Sequence, residues 1–315
     1  MEPRPADGEE RALLLHSEPD EVMDVLQSCR GLRWGSARRP DEVAPALAAH
    51  RPTVVLSIKH SGFPGPAHRA ALVAPGVRWF HVGGAGRDHL EPVPPGVRVT
   101  DSAGVLAPFH AERALAALLH LTARIGVHAR AQADRRWEPA RFRSLHGRTL
   151  LVVGAGHTGT ALAALVRPLG MRVIGVRRTP AAGAAPFDEL HPPAALDDLL
   201  PRADVLSLHV PLTPATEALV DAARLALLPE GAVVLNAARG AVLDADALLA
   251  ALERNVAAAW LDVFDVEPLP AKSALWSRPD VLVTPHCADQ VEDFPRRFAE
   301  RFRALWESDT APLGA

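Results

Sequence analysis

Residues 149–159 read TLLVVGAGHTG, and this stretch constrains the fold more than any other part of the chain. An apolar run ends at three glycines, Gly154, Gly156 and Gly159, and ALAALVRPLG continues with helical spacing. A lone GxGxxG says little. Between a strand and a helix, however, the first glycine makes the tight turn, the second lets backbone approach a pyrophosphate, and the third packs the helix closely on the strand. Amides at the helix start, those of His157 and Thr158 among them, lack intrahelical acceptors and lie at the positive end of the helix dipole, which suits an anion. The segment predicts a parallel strand–helix–strand unit that holds a dinucleotide.

The end of the following strand selects the nucleotide. An acidic residue about 20 residues on accepts a hydrogen bond from the ribose 2′-hydroxyl in the NAD form of this fingerprint. Here RVIGVRRTP ends the strand with Arg177, Arg178 and Thr179. A guanidinium binds a 2′-phosphate through paired, charge-assisted hydrogen bonds, whereas a carboxylate there repels it. The sequence therefore predicts NADP(H) in preference to NAD(H).

At 315 residues the chain exceeds what one core comfortably fills, since single cores stop growing near about 250–300 residues. Two alternating series of apolar runs agree with two domains. The first holds ALLLH from Ala12, TVVLSI from Thr53, RWFHV from Arg78 and VRVT from Val97, with helical spacing in DEVAPALAAH and PAHRAALV between them. The second holds TLLVVG from Thr149, RVIGV from Arg172, DVLSL from Asp204, AVVLN from Ala232, AAWLDV from Ala258 and VLVT from Val281. Alternation of this kind predicts parallel sheets covered on both faces. Between the series, Phe109 to Trp137 reads as one extended helix, packed either on its own domain or on a second subunit. After Pro285 a helix-like run to Trp306 is too short for a domain and reads as a return to the first unit.

Composition narrows the function. A formal net charge of −3 supplies no field for nucleic acid or an anionic membrane. No stretch approaches the ~18 uncharged apolar residues of a membrane span. Two cysteines, Cys29 and Cys287, and an acidic start without a signal-like apolar core predict a cytoplasmic protein without a disulfide framework. The histidines and cysteines lack metal-ligand spacing, so no metal is expected.

Five blocks occur in order: GAGHTG from Gly154, HVPLTPAT from His209, NAARGAVLD from Asn236, LDVFDVEPLP from Leu261 and TPHCAD from Thr284. Together they resemble the D-isomer-specific 2-hydroxyacid dehydrogenase family, and among its members the NADPH-linked glyoxylate and hydroxypyruvate reductases. GGAGRDHL from Gly83 and the AER of Ala111 to Arg113 extend the likeness over most of the chain. The resemblance implies an α/β fold of two doubly wound parallel-sheet domains. A Rossmann cofactor domain, residues 103–286, is inserted in a flavodoxin-like substrate domain, residues 1–102 and 287–315. It also implies a homodimer joined through the cofactor domains, and a small 2-oxo or 2-hydroxy acid as substrate.

Reduction of a 2-oxo acid needs a cation for the carboxylate, a hydride donor and an acid for the forming alkoxide. By resemblance Arg239 holds the substrate's carboxylate and carbonyl oxygens, His286 is the acid and base, and Glu267 orients the imidazole. The same likeness places Asp262 near the nicotinamide carboxamide, and His209, Val210, Pro211, Thr216 and Ala237 along the cofactor. Main-chain amides of Ala85 and Gly86 are expected on the substrate carboxylate. Arg87, and Lys59 with His60, stand where the family's pattern differs; they either select a substrate with a second anionic group or face solvent. Asn255 replaces a frequent helix-end glycine and tolerates left-handed backbone. Cys287 reads as a small packed residue. The competing reading is a dinucleotide-sensing binding protein, as in the corepressors that resemble the same family; an intact Arg239, Glu267 and His286 set argues for turnover.

Overall fold

The computed structural model describes residues 10–58, 63, 65–84, 90, 92–180, 185–288 and 290–310. The chain divides into two compact units, Met1–Leu106 with Val291–Ala315, and Ala107–Gln290.

In the first unit, β1 (Glu10–Leu15), β2 (Leu32–Ala37), β3 (Val54–Ile58), β4 (Trp79–Gly83) and β5 (Arg98–Asp101) form a parallel sheet in the order β2-β1-β3-β4-β5. Side chains alternate between the faces of a strand. Leu13, Leu15, Val55, Phe80 and Val82 therefore share one core with α2 (Val43–His50) and α3 (Gly65–Leu72). The opposite face meets α1 (Met23–Gln27) and the terminal helix, called α10 below (Phe294–Thr310). There Trp79 stacks on Trp306 at 5.8 Å between ring centroids and lies 5.4 Å from Phe302. Coverage of both faces is why β1 and β3 carry the apolar runs Ala12–Leu15 and Val54–Leu56. Among the polar groups buried inside, His81 is fully covered, with Nδ1 2.8 Å from Thr100 Oγ1 and Nε2 3.0 Å from Ser102 Oγ. Burial, reinforced by the Arg301 charge, pushes its pKa down to about 3.

The second unit contains β6 (Thr149–Val153), β7 (Arg172–Val176), β8 (Glu189–His191), β9 (Val205–Leu208), β10 (Ala232–Asn236), β11 (Val256–Leu261) and β12 (Val281–Val283). All pair in parallel, in the order β12-β11-β10-β9-β6-β7-β8. Counted within the unit from β8, that is third, second, first, then fourth to seventh: a Rossmann arrangement whose order reverses between β6 and β9. Helices α4 (Ala107–Thr122), α5 (Ile125–Ala133), α6 (His157–Val166), α7 (Leu196–Leu199), α8 (Ala222–Ala226) and α9 (Ala245–Leu252) complete it before α10. Leu150 and Val152 pack toward a core that includes Ala114 and Leu118 of α4 and Leu162 of α6, while Leu151 and Val153 face Leu225 of α8 and Leu248 of α9. The two doubly wound parallel sheets are thus as the sequence indicated.

Two features differ from the sequence reading. The expected single helix from Phe109 to Trp137 is two, because Arg124 takes left-handed backbone (φ +61) between α4 and α5, and α5 ends before Trp137. The apolar spacing continues on both sides of that residue, so the reversal leaves no mark in the pattern. Strands β2 and β8 had no apolar signature, since β2 is partly exposed and β8 has only three residues. Among the described residues, no helix is long and apolar enough to cross a membrane.

Candidate active site

The glycine loop sits at the order reversal of the second unit's sheet. His209, leaving β9, donates its amide to Val153 O at 2.8 Å, and Gly154 and Ala155 donate theirs to Val176 O at 3.0 and 2.9 Å. Gly154 holds φ +103, and a Cβ there would stand 2.6 Å from the His209 carbonyl. A Cβ on Gly159 would stand 2.5 Å from Gly154 O and 2.6 Å from Val152 Cγ1, so the start of α6 rests directly on β6. Gly156 is the opposite case, with nothing within 4 Å of its would-be Cβ. It is the N-cap of α6 and no side chain caps the helix. The first amides of α6, those of His157 and Thr158, begin beside a space that a Cβ on Gly156 would fill. This is the form a dinucleotide pyrophosphate requires.

Arg177, Arg178 and Thr179 follow β7 and are exposed. The Arg177 amide donates to His191 O at 3.0 Å, and neither guanidinium has an ion-pair partner among the described residues. At the end of β9, His209 Nε2 lies 2.8 Å from Ser207 Oγ. Desolvation of the ring, with the nearby His110 adding to it, lowers its pKa to about 4, so this imidazole is neutral near pH 7. Val210 and Pro211 continue into a turn closed by Thr216, whose Oγ1 donates to Pro211 O at 2.6 Å and accepts from Thr213 N at 2.8 Å.

Three other strand ends supply the ionisable groups. Asn236, buried at the end of β10, accepts from Ala238 N at 3.0 Å and donates to Arg239 O at 3.2 Å. This staple shapes the loop through Ala237 to the half-buried Arg239, whose guanidinium donates to Ala238 O at 2.7 Å. Beyond β11, Glu267 Oε1 accepts from Phe264 N at 3.0 Å, and Oε2 lies 2.7 Å from His286 Nδ1. A carboxylate only accepts, so Nδ1 carries the proton and Nε2 remains for another partner. Asp262 is 1% exposed and accepts from Cys287 N at 3.2 Å and Ala288 N at 3.0 Å, as well as from the Thr284 hydroxyl. The hydrogen bonds of its carboxylate among the described residues are to the turn that carries His286.

Thr284 and the Asn236 staple escaped sequence reasoning, although both stand inside the ordered blocks. Asn255 does not use left-handed backbone: its amide donates to Leu225 O at 2.9 Å and Leu228 O at 2.8 Å, tying β11 to the α8 region. Cys287 is half-buried and its Sγ accepts from the Arg113 guanidinium at 2.9 Å. Ala85, Gly86, Arg87, Lys59 and His60 lie outside the described residues.

The model of the D-isomer specific 2-hydroxyacid dehydrogenase NAD-binding domain matches residues 115–288. A glyoxylate reductase from Thermofilum pendens is 33% identical over 240 residues, 72% of this chain and 70% of the relative. Among solved structures, a D-isomer specific 2-hydroxyacid dehydrogenase family protein from Aeromonas salmonicida superposes with TM-score 0.83 at 29% identity, over 97% of this chain and 98% of its own. A D-isomer specific 2-hydroxyacid dehydrogenase from Xanthobacter autotrophicus Py2, solved in complex with NADPH and MES, gives TM-score 0.74 at 31% identity, over 96% and 97%. The fold and the site define an NAD(P)-dependent oxidoreductase that transfers hydride. The chain belongs to the D-isomer specific 2-hydroxyacid dehydrogenase family.

Proposed function

We propose that this enzyme reduces a small 2-oxo acid of the glyoxylate and hydroxypyruvate class to its 2-hydroxy acid, with NADPH preferred over NADH. The observation that carries the reading is the Glu267–His286 pair, 2.7 Å apart, with Glu267 on a loop that crosses the one bearing Arg239. Arg239 binds the carboxylate and polarises the carbonyl of the substrate. His286 Nε2 gives its proton to the carbonyl oxygen as the alkoxide forms, while Glu267 holds Nδ1–H and fixes the ring. In the reverse direction Nε2 takes the hydroxyl proton. The reduced nicotinamide, when bound, supplies the hydride.

Gly154, Gly156, His157, Thr158 and Gly159 hold the pyrophosphate in this reading. His209, Val210, Pro211, Thr216 and Ala237 line the remainder of the cofactor, with Asp262 behind the nicotinamide end. Arg177, Arg178 and Thr179 take the 2′-phosphate. The two guanidinium groups, without an ion-pair partner among the described residues, and the NADPH bound by the Xanthobacter autotrophicus protein support that choice. Amides of Ala85 and Gly86 bind the substrate carboxylate from residues 1–102 and 287–315, with 103–286 as the cofactor domain. A homodimer in the cytoplasm follows the same reading; Trp137, Phe142 and Ile125, 99%, 67% and 52% exposed, offer apolar surface for it. The glyoxylate reductase relatives and the Glu267–His286 pair do not favour a corepressor-like binding role. An absorbance screen of glyoxylate, hydroxypyruvate, pyruvate, phenylpyruvate and oxaloacetate with each reduced cofactor tests the assignment. Fastest turnover of glyoxylate or hydroxypyruvate with NADPH is expected, and turnover of none of the five would overturn it.

A further inference from the structure

His286 holds φ +48, a backbone conformation that a side chain with a Cβ keeps only when its surroundings impose it. Three consecutive amides show what imposes it. His286 N donates to Asp262 O at 2.8 Å, Cys287 N to Asp262 Oδ1 at 3.2 Å, and Ala288 N to Asp262 Oδ2 at 3.0 Å. The whole turn is curled around one residue. That residue is itself held, since the Thr284 hydroxyl donates to Asp262 Oδ1 and accepts from the indole Nε1–H of Trp260 at 2.9 Å. The direction of this chain has no alternative: an indole N–H only donates and a carboxylate only accepts, so the single hydroxyl proton must point at Asp262. Trp260 and Asp262 are each 1% exposed, and Thr284 N is bonded to Leu261 O at 3.0 Å, so the chain begins in the packed core beside β11.

We propose that Thr284 and Asp262 are positioning residues, which fix the His286 turn so that Nδ1 meets Glu267 and Nε2 meets the substrate oxygen. The inference rests on the assignment of His286 as the acid and extends it to two residues that touch neither substrate nor the imidazole. It also gives the Asp262 carboxylate a task distinct from a cofactor contact. A misplacement of about 1 Å at a reacting group costs on the order of a hundredfold in rate.

The test compares Thr284→Val, Thr284→Ser and His286→Ala, alone and combined. Thr284→Val keeps the shape and deletes the link; turnover should fall about tenfold to a hundredfold. NADPH affinity, read by quenching of tryptophan fluorescence, should stay at the parent value, and Thr284→Ser should recover most of the rate. In the His286→Ala background Thr284→Val should cause no further loss, because residues acting as one unit are not additive. Unchanged turnover in Thr284→Val, an equal loss in the His286→Ala background, or NADPH affinity falling in step with turnover would each overturn the proposal. Parental turnover in His286→Ala overturns the acid assignment instead, and this inference with it. Should Thr284→Val fail to fold, Thr284→Ala, which deletes the same link without setting a methyl group against the Trp260 indole N–H, carries the same comparison.

Discussion

Gly240 passes the backbone of Phe264 with no room for a side chain: a Cβ at 240 would collide with the Phe264 carbonyl carbon and the Asp265 amide. This crossing joins the loop after β10, which carries Arg239, to the loop after β11, which carries Glu267. Gly240→Ala must separate them. Overpacking of this kind costs about 1–3 kcal/mol. We expect a lower melting temperature together with a rise in KM for the 2-oxo acid, both read on one preparation. An unshifted KM would show that the crossing does not set the position of Arg239.

The glycine loop separates folding from binding at two neighbouring positions. A Cβ on Gly154 meets the His209 carbonyl and a left-handed φ, so Gly154→Ala should lower stability. A Cβ on Gly156 meets nothing within 4 Å, so Gly156→Ala should melt near the parent temperature and yet bind either cofactor at least tenfold more weakly, about 1.4 kcal/mol. Calorimetric titration with NADPH checks it. Parent-like affinity in Gly156→Ala would place the pyrophosphate elsewhere.

Arg177 and Arg178 bear on the choice of nucleotide. Replacing both with glutamine removes charge-assisted hydrogen bonds worth about 1.5–3 kcal/mol, so NADPH should weaken about tenfold to a hundredfold while NADH changes little. Equal loss for both cofactors would assign these residues to something other than the 2′-phosphate.

Stability should fall on acidification in two windows. His81 and His209 titrate at about 3 and about 4 when folded and near 6.5 when free, so below 6.5 the unfolded chain binds protons the folded chain does not. Their contribution is intact above about 6.5 and declines as pH falls toward 4 and 3. Glu189, bonded to Arg202, His191 and Arg172, is lowered from 4.5 to about 2, so its contribution holds above 4.5 and is lost only below that. Melting temperatures should be level between pH 7 and 8, as expected where none of these groups titrates, and decline by pH 5. A melting temperature that rises on going from pH 7 to 5 would contradict the histidine assignments.

Most of the architecture was legible because both sheets are covered on both faces, which turns strands such as Leu150–Val153 and Val54–Ile58 into apolar runs that stand out between helices. What escaped did so for physical reasons. Strand β2 mixes exposed and buried positions, and the left-handed Arg124 interrupts a helix without disturbing its spacing. The site divides in the same way. Arg239, Glu267 and His286 are marked by residue type within ordered blocks. The link from Trp260 through Thr284 to Asp262 is made of residues 24 and 22 positions apart, and only the pairing of β11 with β12 brings them together.

The central claim is that His286 Nε2 delivers the proton in the reduction of a 2-oxo acid. Steady-state oxidation of NADPH by glyoxylate, compared between the parent and His286→Ala, tests it most directly. General acid catalysis accounts for about 10²–10⁴ in rate, so turnover should fall by that factor while NADPH affinity stays within about twofold. Parent-like turnover in His286→Ala would contradict the account.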